Sequence, residues 1–220
     1  MTVLSARQGY SRWAAHYTSE TAVSALEDRV VESFGIATAG QRLLDVGCGT
    51  GRRLDGIDAA VAIGIDYTPQ MLAHAATPMP LAAADVRALP FTDASFDVIW
   101  CRLVIGHVRE VGQTYVELAR VCRIGGTIVI SDFHPDAVAA GHRRTFRDDQ
   151  GTLFEIRHFT HEQSDHAAAS SVAGLECIAR RDGEVGPEIR SFYQSAGRTQ
   201  AYESQRGLRI VLALAYRRVS

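Results

Sequence analysis

This 220-residue chain has no lysine, no long apolar run and almost no net charge. All 23 basic residues are arginine, which we interpret as a bias toward GC-rich codons and not as a chemical requirement. A formal net charge of −2 provides no electrostatic footprint for nucleic acid. No apolar run approaches the roughly 20 residues of a membrane span, and residues 1–13 lack the apolar core of a signal peptide. We therefore expect a protein that binds neither nucleic acid nor membrane.

Cysteine spacing argues against disulfides and zinc. The chain contains neither a C-x-x-C pair nor a zinc-ligand spacing among its four cysteines, and a reduced, cytoplasmic location is the default for such a chain. Five of the eight histidines fall between residues 134 and 166, but their spacing does not place two on one helical face beside a third ligand. We predict no metal site. Without repeats or low-complexity linkers, residues 1–220 are most simply one domain.

Residues 43–51, LLDVGCGTG, have the pattern of a buried strand that ends in a glycine-rich turn. Glycine lets backbone approach a ligand because it has no Cβ and tolerates positive φ. A second apolar run, residues 61–65, ends in Asp66. Glycines at the tip of one strand and a carboxylate at the tip of the next are typical of a nucleotide site, where the carboxylate binds ribose hydroxyls.

The glycine spacing favours one ligand over another. Gly47, Gly49 and Gly51 depart from the dinucleotide fingerprint, because Arg52 stands where its last glycine would lie. Asp45, two residues before Gly47, would repel a pyrophosphate and attract a cationic amino group. S-adenosylmethionine suits both carboxylates, since its ribose hydroxyls could bind Asp66 and its α-amino group could lie near Asp45. We therefore expect S-adenosylmethionine and not a nicotinamide cofactor.

Strands and helices alternate along the chain, which predicts a parallel sheet with helices on both faces. The predicted strands are 42–46, 61–66, 81–84, 96–101, 127–131, 175–182 and 209–217, and the predicted helices are 21–34, 51–57, 68–76 and 111–123. A long polar insertion is expected at 133–160 and a second loop region at 186–207. Both would lie at the carboxyl ends of the strands, where open α/β sheets bind ligands.

Five motifs stand in one order between residues 43 and 132: LLDVGCGTG, GIDYTPQML, AAADVRALPF, SFDVIWCRLVIGHV and ELARVCRIGGTIVISD. Together they resemble the class I S-adenosylmethionine-dependent methyltransferases of the small-molecule type, related to the quinone- and sterol-methylating groups. The resemblance implies a Rossmann-like α/β fold with a seven-stranded, mostly parallel sheet, helices on both faces and a lid insertion after strand five. It also implies that the last strand is antiparallel.

The resemblance further implies which residues hold the cofactor. Asp85 and Val86 would meet adenine, Tyr67 and Met71 would pack near the ribose and adenine, and Cys48 is interpreted as a small packed residue within the turn. Residues 10–17, YSRWAAHY, resemble a pattern that opens many members, whose N-terminal helix closes over the cofactor. Aromatic faces attract a sulfonium cation. The predicted cofactor set is Tyr10, Tyr17, Asp45, Gly47, Cys48, Gly49, Gly51, Asp66, Tyr67, Met71, Asp85, Val86 and Cys101.

Two histidines are the candidate catalytic residues. His107 follows the fourth strand and His134 the fifth, and either could take a proton from an acceptor hydroxyl; a structural role is the alternative for both. Residues 1–35 are expected to form a helical cover. Arginines 143, 144 and 147 are interpreted as a solvated face, with a clamp for an acidic substrate as the alternative. The expected lid aromatics are Phe133, Phe146, Phe154, Phe159, Phe192 and Tyr193.

These observations predict methyl transfer from S-adenosylmethionine to a small, hydrophobic or aromatic molecule, by a monomer or a homodimer. Three alternatives stay open. A nucleic-acid methyltransferase is disfavoured because residues 101–104, CRLV, lack the (Asn/Asp)-Pro-Pro-aromatic motif. A nicotinamide-dependent oxidoreductase is disfavoured by the glycine spacing. The third alternative is a non-catalytic protein that binds the cofactor and acts as a partner or sensor. It stays open because such a protein would have the same motifs. The acceptor atom is not specified, since one fold hosts many chemistries.

Overall fold

The computed structural model describes residues 1–17, 20–75 and 77–220, whose strands form a sheet of seven and a sheet of three. The strands are β1 (Thr2–Leu4), β2 (Arg42–Val46), β3 (Val61–Asp66), β4 (Leu81–Ala83), β5 (Phe96–Arg102), β6 (Cys122–Phe133), β7 (Thr145–Arg147), β8 (Leu153–Ile156), β9 (Leu175–Glu184) and β10 (Arg209–Arg218). The α-helices are α1 (Ala6–Trp13), α2 (Ala22–Glu32), α3 (Pro69–Leu72), α4 (Gly112–Val121), α5 (Pro135–Ala139), α6 (Gln163–Val172), α7 (Arg190–Ser195) and α8 (Thr199–Gln205).

The seven-stranded sheet has the order β4-β3-β2-β5-β6-β10-β9. Only β10 runs against its neighbours, pairing antiparallel with both β6 and β9. This topology confirms the Rossmann-like sheet and the antiparallel last strand. The strand order reverses between β2 and β5, and ligands of open α/β sheets bind outside the carboxyl ends of the strands at such a point.

The sheet is buried on both faces, which explains its continuous apolar runs. Adjacent residues of one strand enter different clusters: Leu43 packs with α2, whereas Leu44 packs with α4 and α6. All of residues 210–216, IVLALAY, are buried in β10. Helix α2 begins at the capping residue Thr21, whose hydroxyl accepts a hydrogen bond from the Ser24 N–H. The packing therefore fixes the register of the strands that carry the site.

Two helices are shorter than the sequence predicts. Residues 51–57 contain a single 3-10 turn, Arg52–Leu54, and not a helix. Gly51 and Gly56 flank that turn with φ of 74° and 67°, a left-handed conformation that ends helical structure. The helix predicted over 68–76 is reduced to α3, and Ala76 lies outside the described residues.

The fifth parallel strand starts earlier than predicted. Strand β6 begins at Cys122 and includes the two glycines that were expected to precede it. A bulge accommodates them, because Phe96 pairs with Cys122 while Val98 pairs with Thr127. A Cβ on Gly126 would lie 2.8 Å from the Asp97 carbonyl oxygen, so glycine permits this close approach.

The N-terminus and the insertion together form the three-stranded sheet, which the sequence does not predict. Strand β1 pairs in parallel with β8, and β7 pairs antiparallel with β8. Helix α1 covers this sheet, and its Tyr10 and Trp13 pack against Phe146 and Phe154. Two of the expected lid aromatics thus form the core of this second sheet.

Residues 186–207 are helical and not a loop. They contain a 3-10 turn, Pro187–Ile189, followed by α7 and α8. Tyr193 and Tyr202 are buried with their ring centroids 5.6 Å apart, and the Tyr193 hydroxyl donates to Gln205 at 3.0 Å. The segment was missed because tertiary packing of a few aromatics, and not helix propensity, stabilises helices this short. Among the described residues, no helix combines the length and apolarity needed to cross a membrane.

Candidate active site

A cleft of about 1490 Å³ opens where the parallel strands end. One wall is the glycine turn after β2 together with the residues that follow β3 and β4. The opposite wall comes from α1, the segment after β5, the insertion after β6, and α7. Both segments that were expected to lie at the carboxyl ends of the strands, 133–160 and 186–207, contribute residues to this wall.

The glycine turn requires its first glycine. Gly47 has a φ of 75°, and a Cβ there would collide with the side chain of Val104. The amide groups of Gly47 and Cys48 both donate to the Ile65 carbonyl, at 2.7 and 2.9 Å, and so tie the turn to β3. Burial raises the pKa of the Cys48 thiol, which suits its interpretation as a packed residue. Gly51 shapes the turn without lining the cleft.

The Asp66 carboxylate is held in place by two backbone groups. One oxygen accepts from the Gly49 N–H at 2.9 Å and the other from the Thr68 N–H at 2.7 Å. Each carboxylate oxygen has capacity for a further hydrogen bond, and Asp66 lines the cleft. The arrangement fits the two hydroxyls of a ribose. Burial raises the pKa of Asp66 above its ordinary value.

Asp45 lies at the base of the glycine turn and is fully buried. Within the described part of the chain, neither of its carboxylate oxygens has a hydrogen-bond partner. Burial raises its pKa to about 6, because desolvation disfavours the charged form. A buried carboxylate without a partner is costly. Asp45 does not line the cleft, so an ammonium group bound at the turn would offset that cost through its charge and not by direct contact. The residues of the turn therefore fit S-adenosylmethionine, whose methionine part carries such a group.

The pKa of Asp45 predicts a pH dependence of cofactor binding. Below about pH 6 the group is neutral, and above it the carboxylate attracts the ammonium, so affinity should rise about tenfold between about pH 5 and about pH 7. Calorimetry with S-adenosylmethionine at a series of pH values measures this. Asp45→Asn should bind weakly and lose this pH dependence. Identical pH profiles for the two proteins would contradict the assignment.

The adenine side of the cleft holds the remaining predicted cofactor residues. Met71 and Val86 are buried in its wall, and Tyr67 is half exposed at its rim beneath the Arg7 guanidinium, 5.2 Å from the ring centroid. The Asp85 carboxylate is paired with Arg87 through contacts of 2.9 and 2.6 Å. These hydrogen bonds lower the pKa of Asp85. An adenine amine would be a second partner for this carboxylate.

A buried ion network that the sequence analysis missed stands behind the glycine turn. Glu27 of α2 is fully buried and accepts from Arg102 at 2.8 and 2.9 Å, from Arg53 at 3.0 Å and from the Ser131 hydroxyl at 2.6 Å. Burial opposes ionisation of Glu27, but the two guanidiniums outweigh it and lower its pKa. Both arginines line the cleft. The signal in the sequence was a glutamate on the apolar face of α2.

A series of hydrogen-bonded side chains lies on the opposite wall of the cleft. Arg144 donates to the Tyr10 hydroxyl oxygen at 2.7 Å, and the Tyr10 hydroxyl lies 3.1 Å from His107 Nε2. His107 Nδ1 faces the Arg157 carbonyl at 3.3 Å, which assigns the ring proton to Nδ1 and makes Nε2 the acceptor of the Tyr10 hydrogen bond. Burial, reinforced by the charge of Arg144, lowers the pKa of His107 to about 3. His107 is therefore neutral at physiological pH.

Tyr17 joins this wall through aromatic contacts. Its ring meets the Tyr10 ring edge-on with centroids 5.7 Å apart, and both residues line the cleft. His107 meets Tyr10 in the same way at 5.3 Å. The aromatic pair predicted from YSRWAAHY thus lies in the cleft opposite the glycine turn.

Two predicted site residues lie elsewhere. His134 caps helix α5, where its Nδ1 accepts from the Asp136 N–H at 3.1 Å, and burial lowers its pKa. It is not among the residues that line the cleft. Cys101 is fully buried within the sheet, so its side chain packs in the core and does not reach the cleft.

Of the other clustered histidines, His142 lines the cleft, and its buried Nε2 has no hydrogen-bond partner among the described residues. The remaining three have separate partners. His158 lies 3.0 Å from Asp132, His161 lies 2.9 Å from the Val108 carbonyl, and His166 lies 2.7 Å from the Tyr115 hydroxyl. In the ranges that the structure describes, no three His, Cys, Asp or Glu side chains are grouped to hold a metal ion.

Comparison with known proteins agrees with this geometry. Residues 44–130 match the family model of a methyltransferase domain. A phosphatidylethanolamine N-methyltransferase from Cereibacter sphaeroides is 35% identical over 133 residues, which cover 56% of this chain and 65% of the relative. A 27-O-demethylrifamycin SV methyltransferase from Amycolatopsis mediterranei is 28% identical over 208 residues, covering 87% of this chain and 72% of the relative.

The solved structures show the same fold. An S-adenosylmethionine-dependent methyltransferase from Mesorhizobium loti superposes with a TM-score of 0.67 at 20% identity, covering 90% of this chain and 100% of that one. This chain spans about half to two thirds of the length of several curated relatives that it matches. Sequence motifs, relatives and strand order agree: residues 44–130 match a methyltransferase domain, and the chain has the fold of the class I S-adenosylmethionine-dependent methyltransferases.

Proposed function

We propose that this protein transfers a methyl group from S-adenosylmethionine to a small, hydrophobic or aromatic acceptor. The observation that carries the proposal is the cleft with two unlike walls. One wall presents the glycine turn, Asp66 and Asp85, and the other presents an aromatic surface with two histidines, His107 and His142. Every group named here comes from one chain, so the proposal requires no second copy.

The protein's part in this reaction is to position the acceptor. When bound, the cofactor supplies a methyl group already activated on a positively charged sulfur. The glycine turn and Asp66 would hold the donor, and the opposite wall of the cleft would hold the acceptor facing it. Alignment of a nucleophile at roughly 3 Å can supply much of such a rate enhancement. The aromatic residues of the second wall that would hold an apolar acceptor are Phe133, Phe159, Phe192 and Tyr193.

His107 is the residue that we propose to contact the reacting group of the acceptor. Its neutral ring and its Nε2 lone pair suit it to accept a hydrogen bond from an acceptor hydroxyl in place of Tyr10. With a pKa of about 3, it is a weak base near pH 7, because efficient general bases have a pKa near the working pH. Its main contribution would be to orient the hydroxyl group, whose proton would be released to solvent as the new bond forms.

Labelling with methyl-labelled S-adenosylmethionine tests the function. The purified protein is incubated with an extract of its source cell, and small molecules are separated from protein and RNA. We expect the label in a small molecule, whose mass then identifies the acceptor. Label in a macromolecule would support the macromolecular alternative. Tight cofactor binding without any transfer would support a non-catalytic binding protein.

A further inference from the structure

We infer that the methyl acceptor carries an anionic group, in the simplest case a carboxylate, that pairs with the guanidinium of Arg144. The inference rests on the proposed function, because it assigns a chemical class to the acceptor of that reaction. It departs from the sequence analysis, which favoured a solvated face for Arg144 and its neighbours.

Arg144 is buried and lacks a counter-ion. It is 9% exposed and lines the cleft. Its Nε has no hydrogen-bond partner in the described part of the chain. No carboxylate oxygen of the described residues lies within 4.0 Å of its guanidinium, since none of the ion pairs there includes Arg144. A buried cation without a paired anion is strongly unfavourable, and an anionic ligand would relieve that cost.

The guanidinium is held rigidly by contacts that leave its Nε unused. Its Nη1 donates to the Tyr10 hydroxyl oxygen at 2.7 Å, and its central carbon lies 4.8 Å from the centroid of the Phe133 ring. The backbone carbonyl of Arg144 accepts from the Ile156 N–H at 2.8 Å, so the neighbouring strand fixes the main chain. A planar guanidinium with free N–H groups is suited to bind a carboxylate by two hydrogen bonds.

The nearest acid does not take this role. Asp132 is buried and influences Arg144 electrostatically, but it forms no ion pair with Arg144 within 4.0 Å, and its Oδ1 lies 3.0 Å from His158 Nε2 and accepts from the Phe133 N–H at 2.7 Å. Two further arginines, Arg143 and Arg198, also line the cleft. This side of the cleft therefore has an excess of positive charge.

Arg144 and His107 together define a two-point site. Both hydrogen-bond to the Tyr10 hydroxyl, at 2.7 and 3.1 Å. An acceptor whose anion pairs with Arg144 would place its remaining atoms against Phe133 and its reacting group near His107. The acceptor class that fits is a small aromatic or apolar acid.

The test compares matched ligands. Binding of 1-hydroxy-2-naphthoate and 1-naphthol is measured by calorimetry at low salt, with S-adenosylhomocysteine present. We expect the carboxylate to bind at least about tenfold more tightly than the naphthol. Arg144→Gln should remove that preference. Arg147→Gln is the matched control, since Arg147 is exposed on the neighbouring strand β7 and does not line the cleft, and it should keep the preference. Equal binding of the two ligands to the unsubstituted protein, failure of the carboxylate to bind, or a preference that survives Arg144→Gln would overturn the inference.

The cofactor's own carboxylate is the other possible source of the anion. Binding of S-adenosylmethionine to Arg144→Gln separates the two sources. Unchanged cofactor affinity supports an acceptor anion, whereas a loss of about tenfold or more overturns it in favour of the cofactor. Failure of the proposed function has a different signature, because the label would then reach no small molecule whatever residue stands at 144.

Discussion

Replacement of Asp66 by alanine is expected to weaken S-adenosylmethionine binding by about 100-fold or more. The carboxylate is fixed by the Gly49 and Thr68 amides with capacity left on both oxygens, so the variant would lose two hydrogen bonds to a charged group. Each such bond contributes about 1.5–3 kcal/mol, and each 1.4 kcal/mol changes a dissociation constant about tenfold. Isothermal calorimetry with S-adenosylmethionine or S-adenosylhomocysteine measures the change.

The control for Asp66 is Asp58→Ala, because Asp58 is an exposed acid in the loop before β3. It should bind the cofactor as the unsubstituted protein does. Circular dichroism must show that Asp66→Ala is folded, and Asp66→Asn provides a second variant that keeps the size of the side chain. Folded variants of Asp66 with undiminished affinity would remove this residue from the site.

Replacement of Glu27 by alanine is expected to lower the free energy of unfolding by about 3–5 kcal/mol. Glu27 accepts all of its hydrogen bonds in the interior. Its removal leaves Arg53 and Arg102 with Asp28 as their one acidic partner among the described residues. Removal of one partner from a buried ion pair costs about 3–5 kcal/mol, because it leaves a buried charge without compensation. For a chain of this size the loss lowers the melting temperature by roughly 10 °C, which thermal denaturation measures.

Glu32→Ala is the matched control, because Glu32 lies at the exposed end of the same helix. It should change the melting temperature little. The lowered pKa of Glu27 also has a consequence for pH. A carboxyl group whose folded pKa is depressed contributes stability above its unfolded pKa, and loses it as pH falls through the folded value. Acidification below about pH 4.5 should therefore destabilise the unsubstituted protein more than Glu27→Ala. Equal acid sensitivity of the two proteins would contradict the network's role.

The parallel half of the fold could be predicted because its signals are local. Strands β2 and β3 occupy the predicted residues 42–46 and 61–66, since continuous apolar runs bounded by glycine or a strand-end acid are distinctive. The residues that we propose to hold the cofactor could be identified for the same reason. The relevant residues follow directly after those strands.

The acceptor side could not be predicted because it is assembled from distant segments. Tyr10 and Arg144 are 134 positions apart and meet only because β1 pairs with β8. His134 and Arg144 both looked like surface or catalytic residues in the sequence. In the structure, His134 caps helix α5 and Arg144 is buried at the wall of the cleft. Composition cannot distinguish such outcomes, because they depend on neighbours from other elements.

The small sheet has a consequence for the order of events during turnover. Backbone hydrogen bonds join β1, which leads into α1, to the insertion that contains β8. Because these hydrogen bonds tie the two segments, we expect them to move as one unit when the cleft opens. Entry of the acceptor and exchange of the spent donor would then share a single rate limit. In rapid-mixing experiments, the observed rate constants for binding of the two ligands should reach the same plateau at high ligand concentration.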